Sequence, residues 1–405
     1  MSTAEVTVPR TNSHVHLPPN FSAFDTVEQA VRLAAEQGLS VLGASNYYDY
    51  RVYRELADRA RGAGIYPLFG IEIISLDEGL RRAGIRVNDP GNPGKYYVCG
   101  KGLGRIDPMP AEAVALLETI RRNDSARMAR MTDRLAEVFA AAGLELGLDE
   151  AAVKAGVVRR HGCDRDTVYL QERHVAQAFQ EALFARVPEV DRAEVLARLF
   201  ESPSRRPEDS LQVQAEIRSH LMKAGKQAYV EETFVPFEHA HRLVLALGGI
   251  PCYATLADGT DPICEYETPV EALIEDIVRR RISIAELIPI RNRPDVLRRY
   301  VLAFREAGLP VTAGTEHNTP DLLPMEPTCL GGKPVPEELR RIFWEGACVV
   351  AAHQHRVSRG KPGFVDGEGA LNPEWTDPEA RIRAFAKEGA ALIRAATGSG
   401  EPAKQ

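Results

Sequence analysis

What most restricts the fold is strand–helix alternation at both ends of the chain, broken by a long helical middle. Val27, Ala30, Val31 and Ala34 recur at helical spacing within residues 25–38, and Gly38 closes that helix. A buried strand is expected over Leu39 to Ala44 and a helix over 49–63. The next strand runs from Ile65 to Phe69 and ends in Gly70-Ile71-Glu72; Tyr96 to Gly100 reads as another. Such alternation indicates parallel βαβ units. Helices then dominate residues 110–245 (110–142, 149–156, 172–185, 190–200, 211–224), with a loop from Ser202 to Pro207. Alternation resumes with a strand from Gly249 to Ala254, a helix at 269–280, a strand around Ala285 to Ile290, a helix at 294–307 and a strand from Pro310 to Ala313. Helices near 336–346 and 377–396 close the chain, and the tail from Thr397 reads as frayed.

Residues with metal-binding chemistry fall where these strands end. His14 and His16 stand at i and i+2 on a short strand, so both imidazoles share one face. Pro18-Pro19 stops that strand, because proline donates nothing to a ladder. Glu72 follows Gly70-Ile71, and Glu316 follows Ala313-Gly314-Thr315. Closed α/β barrels build their sites at C-terminal strand ends. Two imidazoles and two carboxylates suit zinc, manganese or iron. A lone HxH or loop acid says little; the four together say more. His174 opens an apolar helix, where helix capping is the plain alternative. Arg173 beside it can pair with an anionic substrate group or with a surface carboxylate.

The formal net charge of -7 argues against a general nucleic-acid surface. No apolar run approaches the roughly 18 residues that span a bilayer, and Met1 to Arg10 lacks a signal-peptide core. The six cysteines are scattered without CxxC spacing, so reduced thiols and a cytoplasmic location are expected. His239 and His241 sit on a helix, where i and i+2 diverge, and His353 and His355 lie in a late stretch; neither pair is expected to bind metal. Gly331-Gly332-Lys333 lacks the strand-to-helix context of a phosphate loop.

Taken in order, several stretches resemble the polymerase and histidinol phosphatase (PHP) family of metal-dependent phosphoesterases. His14-Val15-His16 matches its opening HxH motif, and Gly70-Ile71-Glu72 matches its Gly-x-Glu motif. Arg173-His174-Val175-Ala176 is similar to Arg-Pro-His-Ile-Ala, and Gly314-Thr315-Glu316-His317-Asn318 to Gly-Ser-Asp-x-His. The stretch Leu42 to Tyr47 stands where the family has Thr-Asp-His, and Gly248 to Ala254 in the run that leads to its Ala-His-Pro. The resemblance covers residues 10–320 and implies an α/β fold, a distorted (β/α)7 barrel with a helical insertion. It divides the chain into 10–109 and 246–366 as barrel, 110–245 as a mainly helical insertion carrying His174, and 367–405 as C-terminal helix and tail.

The departures from the family pattern are informative. Its first metal site is implied at His14, His16, Glu72 and Glu316, with Glu for Asp at the last. Its second would share Glu72 and use His174, but Tyr97 replaces the other histidine. At the third site Tyr47 and Asn318 replace histidines, Asn20 to Ala23 holds none, and Thr255 replaces the histidine of Ala-His-Pro. Placing His317 at the final ligand position is an alternative ranked lower. One tightly bound divalent transition metal per chain is therefore expected. The implied function is a metal-dependent hydrolase acting on a small phosphorylated or otherwise anionic metabolite. Glu72 and His174 would be catalytic, with Arg173, Lys101, Tyr47, Tyr97, Arg291 and Asn318 (and Arg293 nearby) on the substrate. A metal-dependent sugar or carbonyl isomerase or lyase, and a non-catalytic binding protein on a degenerate barrel, are the alternatives. The expected partner is a small-molecule substrate, with neither nucleic acid nor membrane; a homo-oligomer stays open.

Overall fold

In the computed structural model, which describes residues 8–398, the alternating segments build one sheet. β1 (Arg10–Val15), β2 (Leu39–Asn46), β3 (Tyr66–Leu76) and β4 (Lys95–Lys101) come first, with α1 (Val27–Glu36), α2 (Val52–Gly62) and α3 (Glu78–Arg82) between them. β5 (Val235–Pro236), β6 (Ile250–Thr255), β7 (Ile284–Leu287) and β8 (Val311–Ala313) follow the helical middle. Neighbours run in the order β1-β2-β3-β4-β6-β7-β8, with β5 paired to the end of β3. β1 is buried at five of its six residues, which is why it reads as an unbroken inner strand.

The expectation of parallel units fails at β4, which runs antiparallel to both β3 and β6. The cause is local. α3 has only five residues, roughly 7 Å of rise, too short to carry the chain back along β3. The segment instead turns at one end of the sheet, closed by hydrogen bonds from Asp77 N to Gly94 O and from Gly94 N to Ile85 O, both 2.8 Å.

β8 meets β1 through residues just beyond its end. Val15 and Glu316 form a parallel bridge, and His16 N donates to Glu316 O at 2.8 Å. Thr315 N and Glu316 N both donate to His14 O, at 3.0 and 2.9 Å. The result is a nearly closed, barrel-like sheet of seven strands. Gly314 makes this seam possible: a Cβ there would lie 2.3 Å from His14 Cβ. Glu316 and His317 then both adopt left-handed backbone, φ 60° and 50°, a conformation that costs non-glycine residues on the order of 1 kcal/mol or more each.

The described chain divides into two compact units. The sheet belongs to the unit made of the residues through Leu17, Thr26–Leu117 and those from Val235 onward. The other comprises Pro18–Asp25 and Glu118–Phe234, and the boundary falls within α4 (Ala111–Ala141). The second unit is built from the rest of α4 with α5 (Glu150–His161), α6 (Glu172–Arg186), α7 (Glu189–Phe200) and α8 (Ser210–Ile217). It has its own apolar core, including Met131, Leu135, Phe139, Phe179 and Leu196.

In the first unit, α9 (Phe237–Ala246), α10 (Val270–Arg279), α11 (Pro294–Glu306), α12 (Glu337–Val357) and α13 (Pro378–Thr397) complete the helices. α12 extends well past the expected 336–346 and carries His353, whose Nε2 lies 3.0 Å from Gly248 O and whose Nδ1 accepts from Phe364 N at 2.9 Å. Among the described residues, no helix is long and apolar enough to cross a membrane.

Candidate metal centre

The barrel-like sheet gathers His14, His16 and Glu72 from β1, the residue after it, and β3. Each offers one ligand atom, and the three atoms lie within 4.8 Å of one another. Glu72 Oε2 is 3.1 Å from His14 Nε2 and 3.6 Å from His16 Nε2. The His14 Nε2 atom is buried and, despite that proximity, makes no hydrogen bond. The imidazole rings of His14 and His16 meet edge to face at 5.1 Å. Two imidazole nitrogens and a carboxylate oxygen converging on one point fit a divalent transition metal.

The second oxygen of Glu72 accepts the hydroxyl of Tyr47, whose ring stacks on His16 at 5.2 Å and 2°. Burial favours the neutral Glu72 carboxyl, but the adjacent imidazoles outweigh it and hold Glu72 well below the usual carboxylate range. Burial, then the negative charge of Glu72, push the Tyr47 phenol well above its ordinary value, so it stays a donor.

Behind His14 lies a buried network. His14 Nδ1 is 2.7 Å from Glu286 Oε1, on β7. Glu286 Oε2 is 2.6 Å from Lys101 Nζ, at the end of β4. Lys101 also donates to Ser13 O and Ser45 Oγ, both at 3.2 Å. Burial pushes His14 down, but Glu286 leads the opposing effects and the imidazole is raised to about 9. Burial likewise opposes ionisation of Glu286, while Lys101 and His14 hold it below its ordinary value. Lys101, expected on the substrate, is 2% exposed and committed to this network.

Other expected residues of the sheet unit have contacts of their own, and the charges of Tyr97 and Glu316 also raise Tyr47. The Glu316 backbone is tied to both His14 and His16, but its carboxylate accepts from Arg291 and, at 2.8 Å, from Asn318 Nδ2. It is not among the atoms that converge with His14, His16 and Glu72. Strand alternation does not aim this side chain, because Glu316 and His317 are both left-handed. His317 is engaged by Thr315 Oγ1 at 2.7 Å and lies 3.0 Å from Leu323 O. Tyr97 is half-buried, with Lys95 Nζ 5.4 Å from its ring centroid. Arg293 is largely exposed and pairs with Asp258 and Asp295 at 3.6 Å.

His174 belongs to the helical unit. Its Nδ1 accepts from Gln171 N at 3.0 Å, closing the N-terminus of α6, and its ring lies edge-on to Phe21 at 5.2 Å. The plain alternative of a capping histidine therefore describes its contacts in that unit. Arg173 lies over the Phe21 ring, 6.0 Å from the centroid.

Glu286 was missed at the level of sequence, although a signal existed. It is the one charge in the run Ile282-Ser283-Ile284-Ala285-Glu286-Leu287-Ile288, and a carboxylate inside a buried strand requires partners.

No protein-family model and no curated protein matches the sequence. Two solved structures share its fold. One, from Bifidobacterium adolescentis and provisionally assigned as a metal-dependent phosphoesterase, is 16% identical, with a TM-score of 0.54 covering 83% of this chain and 96% of that one. The other, an amidohydrolase from Chromobacterium violaceum with bound sulfate and no metal, is 17% identical, with a TM-score of 0.51 covering 82% and 96%.

Proposed function

We propose that the protein is a metal-dependent hydrolase of small phosphorylated or otherwise anionic metabolites, with one main metal held by His14, His16 and Glu72. The observation that carries this reading is the convergence of three buried donor atoms within 4.8 Å. A self-contained ion cluster would place a lysine or arginine on Glu72; here its partners are two imidazoles and a phenol. The shared fold of a metal-dependent phosphoesterase and an amidohydrolase supports hydrolysis, and the PHP resemblance supports a phosphate ester.

A bound divalent ion would supply a Lewis acid and a water of lowered pKa. The protein's own groups do the rest. Tyr47 fixes the Glu72 carboxylate through its free oxygen. Arg291 and Asn318, now on Glu316, are the groups chosen for an anionic substrate, because they already bind a carboxylate.

Elemental analysis after dialysis should find about one transition-metal equivalent per chain, and a panel of phosphate esters should reveal turnover that chelation removes. Absence of metal, together with no gain in heat stability on adding zinc or manganese, would overturn the reading, since a ligand that binds only the native state must stabilise it. Turnover of carbonyl or sugar substrates alone would keep the metal and replace the reaction.

A further inference from the structure

Building on the metal reading, we propose that Glu286, anchored by Lys101, is a positioning residue that fixes the tautomer and orientation of His14 for the metal. The three side chains come from β7, β4 and β1, and each is at most 2% exposed. The 2.7 Å contact between His14 Nδ1 and Glu286 Oε1 puts the ring proton on Nδ1. Nε2 is then the ring atom left for a metal, and it lies 3.1 Å from Glu72 Oε2. A carboxylate behind a ligating imidazole holds the ring and strengthens it as a donor.

Lys101 keeps that carboxylate in place. An ammonium has three N–H groups, and Lys101 has three oxygen partners: Glu286 at 2.6 Å, Ser13 O and Ser45 Oγ at 3.2 Å. It has no donor left for a substrate. Thr312 Oγ1 adds a long contact to the same Glu286 oxygen, 3.4 Å. Burying a lysine–glutamate pair is expensive, and an apolar pair of similar size is often no less stable. What an apolar pair cannot supply is a fixed negative acceptor for His14 Nδ1.

One competing arrangement exists. His14, Cys99 and Glu286 also offer ligand atoms within 4.8 Å of one another. A metal there would share Glu286 with Lys101 and compete with its contact to His14 Nδ1. Lys101 is the resident cation of that pocket.

The test compares zinc and cobalt affinity, by chelator competition, in the wild-type chain and in Glu286→Gln and Glu286→Leu. Gln keeps an acceptor for Nδ1–H but loses the charge, so affinity should fall about tenfold; Leu should cost nearer ~100-fold. The near-isosteric Gln variant guards against a folding failure, checked by thermal melting without metal. The visible spectrum of the cobalt protein should shift in both variants, which a purely structural role would not cause. Wild-type binding with unchanged affinity and spectrum in both variants overturns this inference and leaves the metal centre standing. A thiolate-to-cobalt charge-transfer band that Cys99→Ser removes also overturns it, by making Cys99 a ligand. A wild-type chain that binds neither metal overturns the metal centre itself, and this inference with it.

Discussion

Glu72 and Glu172 are both nearly buried carboxylates, with side chains 8% and 14% exposed, yet they are surrounded in opposite ways. In the helical unit Glu172 collects three cations: Arg127 at 2.8 Å, Lys223 at 2.7 Å and Arg218 at 3.4 Å. Burial opposes its ionisation, but Lys223 and Arg127 outweigh it and lower Glu172 to about 2. In the sheet unit Glu72 meets two imidazoles and a phenol. A structural charge cluster neutralises itself with fixed cations. A ligand site gathers groups whose lone pairs point at the same small volume.

The widest separation should appear on removing each carboxylate. Glu72→Gln should lose more metal affinity than the ~10–100-fold typical of a supporting residue, and all metal-dependent turnover, because it removes the charge that offsets the cation. Wild-type metal content in this variant would reduce Glu72 to an ordinary acid. Glu172→Gln should do the reverse. Breaking a buried ion cluster from one side costs about 3 kcal/mol, visible in urea unfolding, with metal content unchanged. If the two variants gave the same profile, the contrast would collapse.

These carboxylates were unequally legible in the sequence. His14, His16 and Glu72 could be found because strand periodicity and a glycine-bounded strand end fix where such side chains gather. The helices of the middle were legible for the same reason: α4, α6 and α7 begin and end within two residues of their expected bounds. Strand direction was not, because apolar periodicity is the same read either way, and the reversal of β4 depends on the shortness of α3. The Glu316 carboxylate could not be aimed from the sequence, because two successive left-handed residues break the alternation. Glu286 and Lys101 meet only because the sheet curls until β7 and β4 both face β1, a contact no local pattern contains.

Histidines sharpen the comparison through pH. His14, beside Glu286, is raised, whereas His174 has burial as its chief influence, followed by His161 and Arg160, and is lowered to about 3. The signs follow from linkage. Between the ordinary 6.5 and about 3 the unfolded chain binds a proton at His174 that the folded chain does not. Stability from this residue is therefore present above 6.5 and falls on acidification by ~1.4 kcal/mol per pH unit. His174→Gln should flatten the dependence of the urea midpoint on pH between about 6.5 and 5 by that amount, measured by circular dichroism in chelator. Equal slopes in the two proteins would mean that His174 is free to protonate in the folded state.

The smallest expected effect belongs to Tyr47→Phe. Phenylalanine keeps the ring that stacks on His16 and removes only the hydroxyl that Glu72 accepts. Because burial and Glu72 keep the phenol protonated, Tyr47 enters as a donor to the ligand carboxylate and not as a phenolate ligand. Losing one such hydrogen bond costs on the order of 1 kcal/mol, roughly a fivefold loss of metal affinity, with the melting temperature of the metal-free protein nearly unchanged. Zinc titration against a chelator is sensitive enough to see it. A loss beyond ~100-fold, larger than supporting residues give, would make Tyr47 a ligand. No loss at all would mean that His14 and His16 orient Glu72 without help, and that Tyr47 serves the centre only by packing against His16.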